Sequence, residues 1–154
     1  MSCSCENSCK CDSADILSKL LANTYVLLLK TQNVHWNVTG ENFRSIHIMT
    51  EDHYDNLFEA IDKIAERIRM VKGKAPATFE EYSKLACFSD KMIATSAVDM
   101  VKTLLEDHKT IRDGLKKAIT TISETDDFAT VDLLTGRLAF HEKIIWMLDS
   151  SLNK

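Results

Sequence analysis

The stretch ENFRSIHIMTEDHYDNLFEAIDKIAERIRMV, Glu41 to Val71, carries the period that decides the fold. Phe43, Ile46, Thr50, Tyr54, Leu57, Ile61, Ile64, Ile68 and Val71 recur at intervals of three and four, as on an amphipathic helix with one buried face. Working outward, Gly40 breaks the chain before this helix. A first helix runs from a Ser13 N-cap to about Trp36, with Leu17, Leu21, Thr24, Leu28, Thr31 and His35 on one face. Gly73 and Pro76 mark a turn, and Thr78 followed by Glu81 at the third position signals a capped short helix. A third long helix spans about Ala94 to Ile122, with Val98, Val101, Leu105, His108, Ile111, Leu115 and Ile122 near one face. After the polar break Glu124-Thr-Asp-Asp-Phe, a fourth helix carries Val131, Leu134, Leu138, His141, Ile145, Leu148 and Leu152. Four long helices with a short helix in the middle connection predict an all-α four-helix bundle over residues 13–154, behind a cysteine-rich tail at residues 1–12.

Composition agrees. A chain of 154 residues with one Pro and four Gly is long enough for one domain and one core, and it is poor in helix breakers. The formal charge of -4 comes with no long basic tract, so nothing in it calls for nucleic acid. No apolar run reaches membrane-spanning length, and the N-terminus lacks the basic region and apolar core of a signal peptide. A cytoplasmic protein without a membrane partner is expected.

A second series lies beside the apolar stripe: His47, Glu51, Asp62 and Glu66, spaced 4, 11 and 4. An 11-residue step returns to within about 20° of its start, so the four side chains share one side of the helix, with Phe58 between the pairs. Imidazole plus carboxylate suits iron, zinc or manganese better than calcium or magnesium. The rise per residue, however, sets His47 and Glu66 about 28 Å apart, too far for one metal. Two antiparallel copies of the helix remove the difficulty. The pairs His47/Glu66 and Glu51/Asp62 share a centre between residues 56 and 57, so a two-fold axis there sets each residue opposite its mate and makes two equivalent sites. His35, across the Gly40 turn, is placed to fold back into the same site. The competing reading is a solvated charged face, because Asp52, Asp55, Glu59, Lys63 and Arg67 crowd the same helix; His35 alone also reads as a hydrogen-bonded buried histidine.

His35-Trp36, Gly40, Phe43, His47, Glu51, Asp62 and Ala65-Glu66-Arg67 resemble the pattern of the Dps family, the miniferritins named for a DNA-binding protein from starved cells. The short helix near residues 79–85 and His141-Glu142-Lys143 with Trp146 extend the resemblance from about Asp15 to Leu152. The resemblance implies a ferritin-like bundle, a homo-dodecamer with a hollow interior, and a di-iron centre between two-fold-related subunits. His35 and His47 would come from one subunit and Asp62 and Glu66 from the other. Glu51 matches a site-lining acidic position that is more often Asp in the family. The Glu-x-x-His motif of ordinary ferritins does not occur in this chain.

The implied activity is that of a ferroxidase: oxidation of Fe(II), by hydrogen peroxide in preference to dioxygen, with storage of ferric mineral and protection against oxidative stress. Trp36 reads either as an electron donor beside the site or as interface packing. Asp126, Asp127 and Asp132 read either as an iron-entry pore on a three-fold axis or as carboxylates stabilising a helix N-terminus. His53 is expected on a partly exposed face, and His108 and His141 as packed core histidines. Cys3, Cys5, Cys9 and Cys11 offer soft ligands for Zn(II) or Cu(I), or else redox pairing, or an inert tail. That tail carries a single Lys, Lys10, so DNA binding is expected to be weak or absent at physiological salt. The alternative to an enzyme is a metal-binding or DNA-compacting dodecamer with an inactive intersubunit site.

Overall fold

A computed structural model of the chain describes residues 12–152. Its elements are α1 (Ser13–Asn37), α2 (Phe43–Met70), α3 (Phe79–Leu85), α4 (Ala97–Ile122) and α5 (Phe128–Leu152). Among the described residues there is no strand, and no helix is long and apolar enough to cross a membrane. The four long helices form the expected bundle: α1 packs on α2, α4 on α5, and α1 on α4, while α3 lies against α1 in the long connection. Leu17, Leu21 and Leu27 from α1 meet Leu57, Ile64 and Ile68 from α2, and Leu104, Ile122, Leu134 and Leu148 complete a closed apolar core.

Local chemistry sets the helix ends. Gly40 adopts φ +105°, a conformation that L side chains rarely take, and Phe43 N–H donates to its carbonyl. That turn delays α2 to Phe43. Gly73 ends the hairpin where a Cβ would come within 2.6 Å of Ala14 Cβ, so only glycine lets the chain pass α1 this closely. At α3, Thr78 Oγ1 accepts from Glu81 N–H and Glu81 accepts from Thr78 N–H, the reciprocal box anticipated from sequence. Tyr82 then stacks on Tyr25 of α1 and donates to Pro76 O, fixing the crossover to the bundle.

Two boundaries differ from expectation. At the start of α1, Asp12 holds the cap position, with no side-chain cap bond, and Ser13 is already helical. At α4, Ser96 is the cap: its hydroxyl accepts from Asp99 N–H at 3.1 Å, which holds the start of the helix at Ala97. Val98 therefore sits in the first turn and is 53% exposed rather than on the buried stripe.

Candidate metal centre

The Gly40 turn folds the start of α2 back onto the end of α1 and brings His35 against His47. The two rings stack with centroids 3.7 Å apart. Their Nδ1 atoms are used reciprocally: His35 Nδ1 lies 2.8 Å from His47 O, and His47 Nδ1 lies 2.8 Å from His35 O. A carbonyl only accepts, so each Nδ1 must carry a proton, and it is Nε2 that is left to offer a lone pair to a metal. A ligand histidine is commonly fixed in this way, with one nitrogen held by the protein and the other presented to the metal.

Three neighbours brace the pair. Thr50 Oγ1 donates to Ile46 O at 2.7 Å and reaches His47 O at 3.1 Å, within 3.4 Å of His35 Nδ1. Tyr54 presents its edge to His35 at 5.1 Å, and Phe43 stacks on the other face of the cluster, 5.1 Å from His47. His35 is buried and His47 half-buried, so the clamp is rigid on its protein side. The sequence placed Thr50 and Tyr54 on the core stripe and gave them no part in the site. Their positions three and seven residues after His47 were the available signal.

The carboxylates lie elsewhere on α2. Glu51 is exposed one turn beyond His47, and Asp62 and Glu66 are exposed near the opposite end of the helix. Phe58, between them, is 68% exposed, and Trp36 beside His35 is 64% exposed. Among the described residues no group of three or more His, Cys, Asp or Glu gathers at one point within the chain. One chain thus holds two imidazoles at one end of α2 and two carboxylates at the other, along a face that carries unburied aromatic surface. A shallow cleft of Tyr25, Phe58, Asp62, Ala65, Pro76 and Tyr82 runs beside the carboxylates.

The three aspartates at the start of α5 separate on inspection. Asp126 and Asp132 are exposed. Asp127 is taken up by the protein: it pairs with the Arg67 guanidinium and accepts from Thr130 N–H at 3.2 Å, as the cap of α5. Arg67 also donates from Nε to Thr130 Oγ1 at 2.9 Å. Burial works against the Asp127 charge, but hydrogen bonds from Thr130, Ser13 and Arg67 outweigh it and hold the carboxyl down to about 2. Arg67, which the sequence grouped with a solvated face, is instead the strap between α2 and α5.

His53 departs from its expected exposure. It is only 2% exposed, and burial is the main cause that brings its ring down to about 4. His108 and His141 are fully buried, as expected of core histidines, and they touch one another. Cys3, Cys5, Cys9 and Cys11 lie outside the described residues.

Residues 14–154 match the family model of the ferritin-like domain. The chain is 35% identical to DNA protection during starvation protein 2 of Bacillus anthracis, over 91% of this chain and 96% of that one. It superposes on the crystal structure of a Dps protein from Bacillus brevis with a TM-score of 0.90 at 34% identity, covering 96% of this chain and 99% of the other. A Dps protein from Vibrio cholerae O1, described as a member of a broad superfamily of ferritin-like diiron-carboxylate proteins, gives a TM-score of 0.88 at 26% identity, covering 99% and 98%.

Proposed function

The chain belongs to the ferritin-like family, in its Dps branch, and from that premise we propose that it is a ferroxidase and iron-storage protein whose centre is completed between two copies of itself. Its substrate is Fe(II). His35 and His47 of one subunit present Nε2 to the iron. Asp62 and Glu66 of a two-fold-related subunit neutralise its charge, with Glu51 lining the space for a second iron. Two Fe(II) ions each give one electron to hydrogen peroxide, which with two protons leaves as two waters. The ferric product is stored as mineral in the interior of a homo-dodecamer. Disposing of Fe(II) and peroxide together removes the reactants of hydroxyl-radical formation, a protective role suited to the cytoplasm. Trp36, exposed beside His35, is positioned to surrender an electron to a stray oxidant. Asp126 and Asp132 remain free to draw Fe(II) toward a three-fold opening, whereas Asp127 is engaged by Arg67. With one Lys in its first twelve residues, the tail offers little to DNA.

One observation supports this reading: the reciprocal histidine clamp, which holds both Nδ1 atoms and leaves both Nε2 atoms to offer, although among the described residues no carboxylate gathers with them. The test is anaerobic loading with Fe(II) followed by peroxide, monitored by ferric absorbance. Fast oxidation in the wild type that is lost in Asp62→Ala and in Glu66→Ala is the expected outcome. Unchanged oxidation in both variants would sink the site assignment.

A further inference from the structure

Three imidazoles sit inside the bundle, away from the site just described: His53 on α2, His108 on α4 and His141 on α5. His108 and His141 face one another with Nδ1 to Nδ1 at 2.9 Å. His53 lies edge-on to His108 with ring centroids 6.3 Å apart. Among the described residues, His108 Nε2, His141 Nε2 and both nitrogens of His53 have no hydrogen-bond partner. An imidazole in a dry core with orphaned nitrogens is costly, and a leucine would pack there at no such cost. Three together call for an explanation that packing does not supply.

The spacing decides between a metal and a proton. Two nitrogens on a tetrahedral zinc with bonds of about 2.0–2.1 Å stand about 3.3 Å apart. The observed 2.9 Å is shorter and is the ordinary length of an N–H to nitrogen hydrogen bond. Among the described residues no third ligand converges on the pair. One proton therefore lies between the two Nδ1 atoms. The donor ring then keeps a bare Nε2 and the acceptor ring a protonated one, so the pair is neutral as a whole.

We propose that the His108–His141 pair is an acid-sensitive latch between α4 and α5: neutral, it ties the two helices together, and proton uptake is coupled to their separation. Every group that acts on the pair makes an added charge worse. Burial is the first cause that lowers both rings, His141 to about 3 and His108 well below the ordinary value. Arg137 of α5 adds its positive charge to both, and His53 of α2 acts on His108 in the same direction. Asp52 and Lys143 act on His53 with opposite signs. From α1, Lys30 is matched by Asp107, the residue before His108. Among the described residues no carboxylate figures among the groups that act on either ring, so none takes an imidazolium in place. A proton enters only as the helices part and the rings reach water.

The sign follows from linkage. An imidazole in the unfolded chain titrates near 6.5, so below that pH the open state binds protons that the closed state refuses. The stability held by the neutral pair is complete above about pH 6.5 and drains as pH falls toward the folded values. At pH 5 each imidazole favours the open state about 25-fold more than at about pH 7.

The test compares the assembled wild type with His108→Leu/His141→Leu by thermal unfolding at pH 7.5 and pH 5. The wild-type loss of Tm should be at least twice that of the variant. Equal losses overturn the proposal. Should the variant fail to fold, deuterium exchange at the imidazole C2 position of the wild type decides by mass spectrometry. Exchange at His108 and His141 should show no inflection near pH 6.5 and should rise only together with amide exchange in α4 and α5. An inflection near 6.5 in the closed protein overturns the latch. So does an equimolar Zn(II) addition that raises the wild-type Tm and leaves the variant unmoved, since the pair would then be a metal site.

Discussion

His35 and His47 hold each other through main-chain carbonyls, so their geometry depends on the Gly40 turn rather than on any acidic partner. Both histidines could be named from the sequence, because their residue type and spacing are chemical statements. The clamp could not, because it depends on where a turn delivers two backbone carbonyls. Asp127 gives the converse lesson. By type and position it matched its two acidic neighbours, and only the structure shows its charge already spent on Arg67 and on the cap of α5. Asp127→Ala should therefore cost about 2 kcal/mol of stability, from a lost cap and a lost partly buried ion pair. Asp126→Ala should leave the melting temperature unmoved. The Asp127 contribution is also pH-dependent. Its folded pKa is depressed, so the stability is present above the ordinary carboxylate range near 3.9 and is lost as pH falls toward about 2. Thermal melts of both variants at neutral pH check the difference. If Asp126→Ala destabilises as much as Asp127→Ala, the assignment of Asp127 as the strap is wrong.

Helix α1 meets α4 through a buried ion pair, Lys30 Nζ to Asp107 Oδ2 at 2.5 Å, with the ammonium 5.2 Å from the centre of the Phe88 ring. Burial raises the Asp107 carboxyl while Lys30 pulls it down. Lys30→Met leaves a carboxylate without its partner inside the bundle and should cost about 3–5 kcal/mol. Lys30→Met/Asp107→Leu, which removes both charges, should recover most of that loss, and chemical denaturation of the three proteins measures it. The single variant should also be less impaired at pH 5 than at pH 8, because the stranded carboxyl escapes its penalty by taking a proton. A double variant no more stable than the single one would remove the ion pair from the account. The helices themselves were legible, since period and caps are local properties. Their contacts were not. His53 falls three residues after Thr50 and four before Leu57, in phase with the buried face, but as a polar residue it read as surface; α4 sets His108 against it inside the bundle. Val98 fitted the α4 stripe, but the Ser96 cap starts the helix one turn later than periodicity alone suggested.

At the scale of the whole molecule, the proposed centre is shared between two chains. The face of α2 that bears Glu51, Phe58, Asp62 and Glu66 is exposed in the protomer, and His35 and His47 wait at one end of it. One long helix keeps its phase, so the common centre of the two pairs between residues 56 and 57 is legible in the sequence, and under the proposal it sets how a second chain would lie. This makes a prediction that no site within one chain can meet. His47→Ala and Glu66→Ala should each be inactive when assembled alone, since every site lacks one ligand. Co-assembled from unfolded or co-expressed chains in equal amounts, half of the two-fold pairs contain one chain of each kind. In such a pair one site loses both ligands, and the other has its histidines from the Glu66→Ala chain and its carboxylates from the His47→Ala chain, so it is intact. About one quarter of all sites should therefore oxidise Fe(II) at the wild-type rate. The measurement is the peroxide-driven burst amplitude of the mixed assembly against the two pure variants. An amplitude no higher than theirs, from assemblies shown by mass to contain both chains, would place histidines and carboxylates in separate functions.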